Sequence, residues 1–112
     1  MRKSALFGAL VAMGALGTLA QAKDYKGEIM DSSCAKMGSH AQMEKEHNIP
    51  DAKACTQGCV KNGAKYVLYM NGKAYDLDDQ TKPVDFAGQK VKVNGKLDSK
   101  TNTIHVDSIT GA

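Results

Sequence analysis

Tyr66-Val67-Leu68-Tyr69-Met70-Asn71-Gly72-Lys73-Ala74-Tyr75-Asp76-Leu77 is the stretch that decides the fold class. Its first arm is β-branched and aromatic, its second arm resumes the strand, and Asn71-Gly72 joins them through two residues that tolerate positive φ. That is the strongest short-range hairpin signal. Downstream, Lys90-Val91-Lys92-Val93-Asn94-Gly95-Lys96-Leu97 alternates polar and apolar, so one face is buried and the other wet. Gly95 within it predicts a bulge or a sharp coil of the strand. After the turn Asp98-Ser99-Lys100-Thr101-Asn102, residues Thr103 to Ile109 alternate again and complete a second antiparallel hairpin. Between the hairpins, Asp78 to Gly88 is polar, contains Pro83, and offers a short helical turn around Val84-Asp85-Phe86 that plugs one end of a core.

Working back towards the N-terminus, Tyr25-Lys26-Gly27-Glu28-Ile29-Met30-Asp31 forms a first strand, and Cys34 to Gly63 reads as helical or irregular. Pro50 suits an early helical position and Asn62-Gly63 a C-terminal stop, which outlines a helix from Asp51 to Lys61. The expected fold is mainly β with a helical insert. Five strands with a helical element between the third and fourth is the order of a small OB-like Greek-key barrel. The Cys-rich helical insert, residues 32–63, then lies between strands 1 and 2. Neither an internal repeat nor a low-complexity segment interrupts this order.

The first 22 residues have a separate logic. Arg2 and Lys3 precede an uncharged apolar run from Ala5 to Leu19, and Ala20-Gln21-Ala22 stands just before Lys23. This is the grammar of a cleavable signal peptide, and the run is shorter than the ~20 residues that span a bilayer. The expectation is a single exported domain, residues 23–112, periplasmic or secreted and free of the membrane after cleavage. Cleavage removes two cations and no carboxylate, so the formal charge of +3 falls to +1. The remaining lysines are scattered, which argues against a nucleic-acid partner. Phe86 is the one phenylalanine beyond the signal and there is no tryptophan, so a core this small calls for cross-links.

The chemistry is concentrated between Met30 and Cys59. This window holds Cys34, Cys55 and Cys59, together with His40, His47, Met30, Met37 and Met43. Cys55 and Cys59 lie four apart and share one helix face. A helix over Gly38 to His47 would align His40, Met43 and His47 at spacings of three and four. Thiolate, thioether and imidazole together suit zinc or copper, and three cysteines with one histidine complete a tetrahedral set. The candidate ligands are therefore Cys34, Cys55, Cys59 and His40, with His47, Met37 and Met43 as alternates for copper.

A disulfide explains the same cysteines differently. In an oxidising compartment Cys34 pairs with Cys55 or Cys59, a cross-link worth roughly 3 kcal/mol through the unfolded chain. A Cys55–Cys59 pair within one helix is less comfortable, because the side chains stack along the axis. One thiol is then left over, which keeps metal binding and redox work open. Methionine is also an ordinary core filler, His105 alternates out to solvent, and Asp76, Asp78 and Asp79 lack calcium-loop spacing. No nucleophile elbow or phosphate-cradling glycine loop occurs, so the chain reads as non-enzymatic.

Gly27-Glu28-Ile29-Met30-Asp31-Ser32-Ser33-Cys34, a following histidine, and Cys55-Thr56-Gln57-Gly58-Cys59-Val60 through Gly63-Ala64-Lys65-Tyr66-Val67 carry a likeness. Together they resemble an uncharacterised family of small exported bacterial proteins, over nearly the whole of residues 23–112. The resemblance implies a signal peptide and a small OB-like barrel, with His40 at the place of the family's histidine, and it implies no activity. The functional expectation is an exported binding or structural module with a protein or small-ligand partner. The alternative is a periplasmic copper- or zinc-handling or thiol–disulfide redox protein.

Overall fold

Residues 21–112 are described by a computed structural model, the side chains of Gln42 and Met43 excepted. The signal reading falls outside these residues but for its last two. Strand β1 (Lys23–Asp31) leads into three short helices, α1 (Ser32–Met37), α2 (Ala41–His47) and α3 (Ala52–Lys61). Strands β2 (Tyr66–Met70) and β3 (Lys73–Leu77) follow, then a 3-10 turn (Lys82–Phe86), β4 (Lys90–Asp98) and β5 (Thr103–Gly111). Among the described residues no helix is long and apolar enough to cross a membrane.

The five strands form one mixed sheet whose pairing order is β1-β2-β3-β5-β4, and β1 pairs antiparallel with both β2 and β4, so the sheet closes on itself as a ring. Only β3 and β5 run parallel, over Asp76↔Thr103 and Leu77↔Ile104. Asn71 and Gly72 both take positive φ, 52° and 78°, as the hairpin reading requires. The expected irregularity at Gly95 is present as a register shift between Asn94 and Gly95. There the strands come so close that a Cβ on Gly95 would sit 2.3 Å from the His105 carbonyl oxygen, which only glycine avoids.

The end of β1, Ile29 to Asp31, and the start of β2, Tyr66 to Leu68, are buried on both faces, and this explains the unbroken apolar run of β2. Ile29, Tyr66 and Leu68 point into the ring with Leu77, Ala87, Val91, Val93 and Ile104. Met30 and Val67, which pair across the two strands, point outward into a second small core with Cys34, Ala35 and Cys55. The helical insert therefore packs against the outside of the ring. Its two ends are clasped, since the Ser32 amide donates to the Lys65 carbonyl at 2.8 Å and the Lys65 amide donates to Ser32 Oγ at 3.1 Å. Gln80 adds a brace that composition does not reveal. Its side-chain amide bonds the Tyr66 amide, the Tyr66 carbonyl and the Leu77 carbonyl.

Candidate metal centre

Asp31 ends β1 and begins α1. Its extended backbone (φ −85°, ψ 156°) lets Oδ2 accept the Cys34 amide at 2.9 Å, the ordinary way an aspartate caps a helix. This cap fixes the first turn of α1 and points Cys34 into the second core. Asp51 caps α3 in the same manner, with Oδ1 accepting the Ala54 amide at 2.8 Å. Pro50 stands just ahead of that cap, outside the helix and not at the early helical position its sequence context suggests. From α3, Cys55 and Cys59 share a face, as their spacing requires.

Three sulfurs and a carboxylate converge. Sγ of Cys34, Cys55 and Cys59 and one oxygen of Asp31 all lie within 4.8 Å of one another, and Cys34 Sγ is 3.4 Å from Cys55 Sγ. Cys34, Cys55 and Asp31 are wholly buried, and Cys59 is partly exposed. All three cysteines are free. Burial pushes both the Cys34 and Cys59 thiols up, with the neighbouring Asp31 acting in the same direction; Cys59 reaches about 11.

Asp31 Oδ1 is buried with no hydrogen-bond partner. Leaving a buried polar oxygen unpaired costs about 1–3 kcal/mol, more when it is charged. A cation held by the neighbouring sulfurs would give this oxygen its partner. Zinc–sulfur bonds of about 2.3 Å put tetrahedral sulfurs about 3.8 Å apart, so the observed spread needs only small side-chain adjustments.

The expected ligands divide. Cys34, Cys55 and Cys59 are brought together, whereas His40 is held elsewhere. His40 is the residue before α2, and its Nε2 lies 2.7 Å from Glu28 Oε2 on β1. His40 is buried, and Nδ1 has no partner. His47 is exposed, Met37 is 43 % exposed at the end of α1, and the side chain of Met43 lies outside the described residues. The expected stripe is broken at His40, because α2 starts only at Ala41 and His40 turns back to β1. Asp31 is the donor that the sequence reading missed. The signal was its position three residues before Cys34, where a capping side chain shares the turn that carries the thiol.

The remaining polar group is structural. Asp78 accepts the Val106 amide at 2.9 Å and lies 3.1 Å from His105 Nδ1, which lowers its carboxyl below the usual range. His105 is exposed, as its place on β5 implies.

No curated protein and no solved structure matches the chain. Residues 58–112, which run from within α3 through the last four strands, match the model of a family described as a protein of unknown function, DUF5818.

Proposed function

We propose that this chain is an exported, non-enzymatic structural or binding module in which a zinc ion, held by Cys34, Cys55, Cys59 and Asp31, ties the helical insert to an OB-type barrel. The observation that carries the reading is the convergence of three thiols on a fully buried carboxylate whose second oxygen has no partner. The carboxylate favours zinc over Cu(I), because Cu(I) prefers soft donors and the expected imidazole, His40, is held at Glu28. Four protein donors leave no open position for substrate, which is the pattern of a structural site and not of a catalytic one.

The OB-type assignment is supported by the order β1-β2-β3-β5-β4, with β1 shared between two neighbours and β3 parallel to β5. Export is supported by the charged, apolar and small-residue succession of residues 2–22. A structural Cys34–Cys55 disulfide is the second reading, favoured by the 3.4 Å contact between their sulfurs.

Native and denaturing mass spectrometry with thiol counting tests both. A zinc adduct that leaves on denaturation, exposing three free thiols, is expected. A mass two protons short, with one free thiol and no metal, would replace zinc with the disulfide. His40→Ala is expected to keep its zinc, and Cys55→Ser to lose it.

A further inference from the structure

We infer that the three sulfurs also form a redox gate on the zinc centre, in which Cys59 receives a disulfide-type oxidant and the buried Cys34–Cys55 pair then closes, expelling the ion. This rests on the zinc reading of the same residues. Two features of the cluster carry it. Access is graded, since Cys34 and Cys55 are wholly buried and Cys59 alone of the three meets solvent. Proximity is graded in the opposite sense, because the two inaccessible sulfurs are in contact at 3.4 Å. The thiol that an external oxidant can reach is therefore not a member of the pair best placed to form the final bridge.

The chemistry balances as three exchanges. The Cys59 thiolate attacks one sulfur of the oxidant, the oxidant's S–S bond breaks, and one of its halves leaves as a thiolate that takes up a proton. Cys34 then attacks the Cys59 sulfur of this mixed disulfide and releases the second half as a thiol. Finally Cys55 attacks the Cys34 sulfur, the bridge passes to Cys34–Cys55, and Cys59 leaves as a thiolate. Two protein thiolates lose two electrons, and one oxidant disulfide becomes two thiols. Resolution by Cys55 at the second step is disfavoured because Cys55 and Cys59 stand on successive turns of α3. Once the buried bridge has formed, only Cys59 and Asp31 remain as donors, too few to hold zinc.

The test treats the zinc-loaded full protein with oxidised glutathione and follows zinc release with a coloured chelator, while peptide mapping locates each disulfide. Glutathione is expected first on Cys59, then a Cys34–Cys55 bridge with Cys59 free, and one zinc released for each bridge. In metal-free protein, Cys59→Ser is expected to slow formation of the Cys34–Cys55 bridge about tenfold or more, and Cys59→Ala to do the same, which guards against a folding defect in either variant. Glutathione appearing first on Cys34 or Cys55, or a Cys59 variant that oxidises at the wild-type rate, overturns the gate. Zinc retained after the bridge forms overturns it as well and leaves the zinc reading standing. A reduced protein that never takes up zinc overturns that reading, and the gate with it.

Discussion

Asp31→Asn separates the two tasks of one side chain. Asp31 is wholly buried, its Oδ2 accepts the Cys34 amide at 2.9 Å, and its Oδ1 has no partner. Asparagine caps helices as well as aspartate does, so the first turn of α1 should persist. The negative charge is lost, and an amide is easier to bury than a carboxylate, so metal-free stability should not fall. Zinc binding should weaken at least ~100-fold, since partners outside the ligand shell alone are worth 10–100-fold. At free zinc about 100 times the wild-type Kd, the ion stabilises wild type by about 2.7 kcal/mol. A variant bound 100-fold more weakly gains only about 0.4 kcal/mol at that concentration. For a domain of this size that is a rise in Tm of roughly 10–20 °C for wild type against about 2–3 °C for the variant. Thermal unfolding followed by circular dichroism, with and without buffered zinc, measures both increments. A variant that keeps the full zinc increment would show that Asp31 is not a ligand, and one that unfolds without metal would show that its charge is needed by the fold.

Other substitutions probe how the ring holds the site. Gly88 takes φ +74°, and a Cβ there would meet the Lys53 amide nitrogen at 2.5 Å and the Ala52 carbonyl carbon at 2.6 Å, whereas Gly63, at φ +107°, faces open space. Gly63→Ala should cost only backbone strain, about 1–2 kcal/mol, and Gly88→Ala clearly more, because it also pushes the first turn of α3 off the ring; urea unfolding compares them. Asp51→Ala removes the α3 cap and should cost about 1 kcal/mol in the same assay. Asp79 is held down to about 2 by Lys82 Nζ at 2.8 Å and then by the Lys82 and Thr81 amides. Its folded value lies below the ordinary 3.8, so its support for the turn is complete above pH 3.8 and fades as pH falls towards 2. An NMR titration of the Thr81 amide should show that midpoint, and Lys82→Ala should raise it. Chelating zinc should free the amides of α1–α3 to exchange with deuterium while those of β1, β2 and β4 stay protected.

The strands were legible because their signals are local. Asn71-Gly72 specifies its turn by backbone tolerance, the alternation from Lys90 to Leu97 specifies a face, and Gly95 marks a bulge without reference to any distant residue. The insert was less legible because its signals are tertiary. Spacing put Cys55 and Cys59 on one face correctly, but nothing in spacing says that Glu28, on a strand, draws His40 away from the sulfurs. Chemistry favoured imidazole as the fourth donor, and Asp31 was overlooked because a capping aspartate has an ordinary explanation that hides a second one. Only its buried, unpartnered Oδ1 discloses that, and burial of a single oxygen is a property of the folded chain.

The weakness of the insert explains why a cross-link belongs there. Its helices have 6, 7 and 10 residues, and helices shorter than about 12–15 are marginal in water without packing. What they pack with is slight, since among the described residues the second core contains Met30, Cys34, Ala35, Cys55 and Val67 as buried apolar residues, two of them contributed by the strands, with Ile49 and Tyr69 partly buried against them. Two of the remaining three are cysteines, which bury little area each. Hydrophobic contact alone therefore holds the insert poorly, and the clasp at Ser32 and Lys65 fixes only its ends. Joining Cys34 to Cys55 across 21 positions, through zinc or through a direct bond, removes about 3 kcal/mol of loop entropy from the unfolded chain. That is comparable to the hydrophobic stabilisation from burying one large apolar side chain, and among the described residues the helices contribute no such wholly buried side chain there. The sulfurs thus supplement a thin core, and whichever agent joins them holds the insert more firmly against the outer face of β1 and β2.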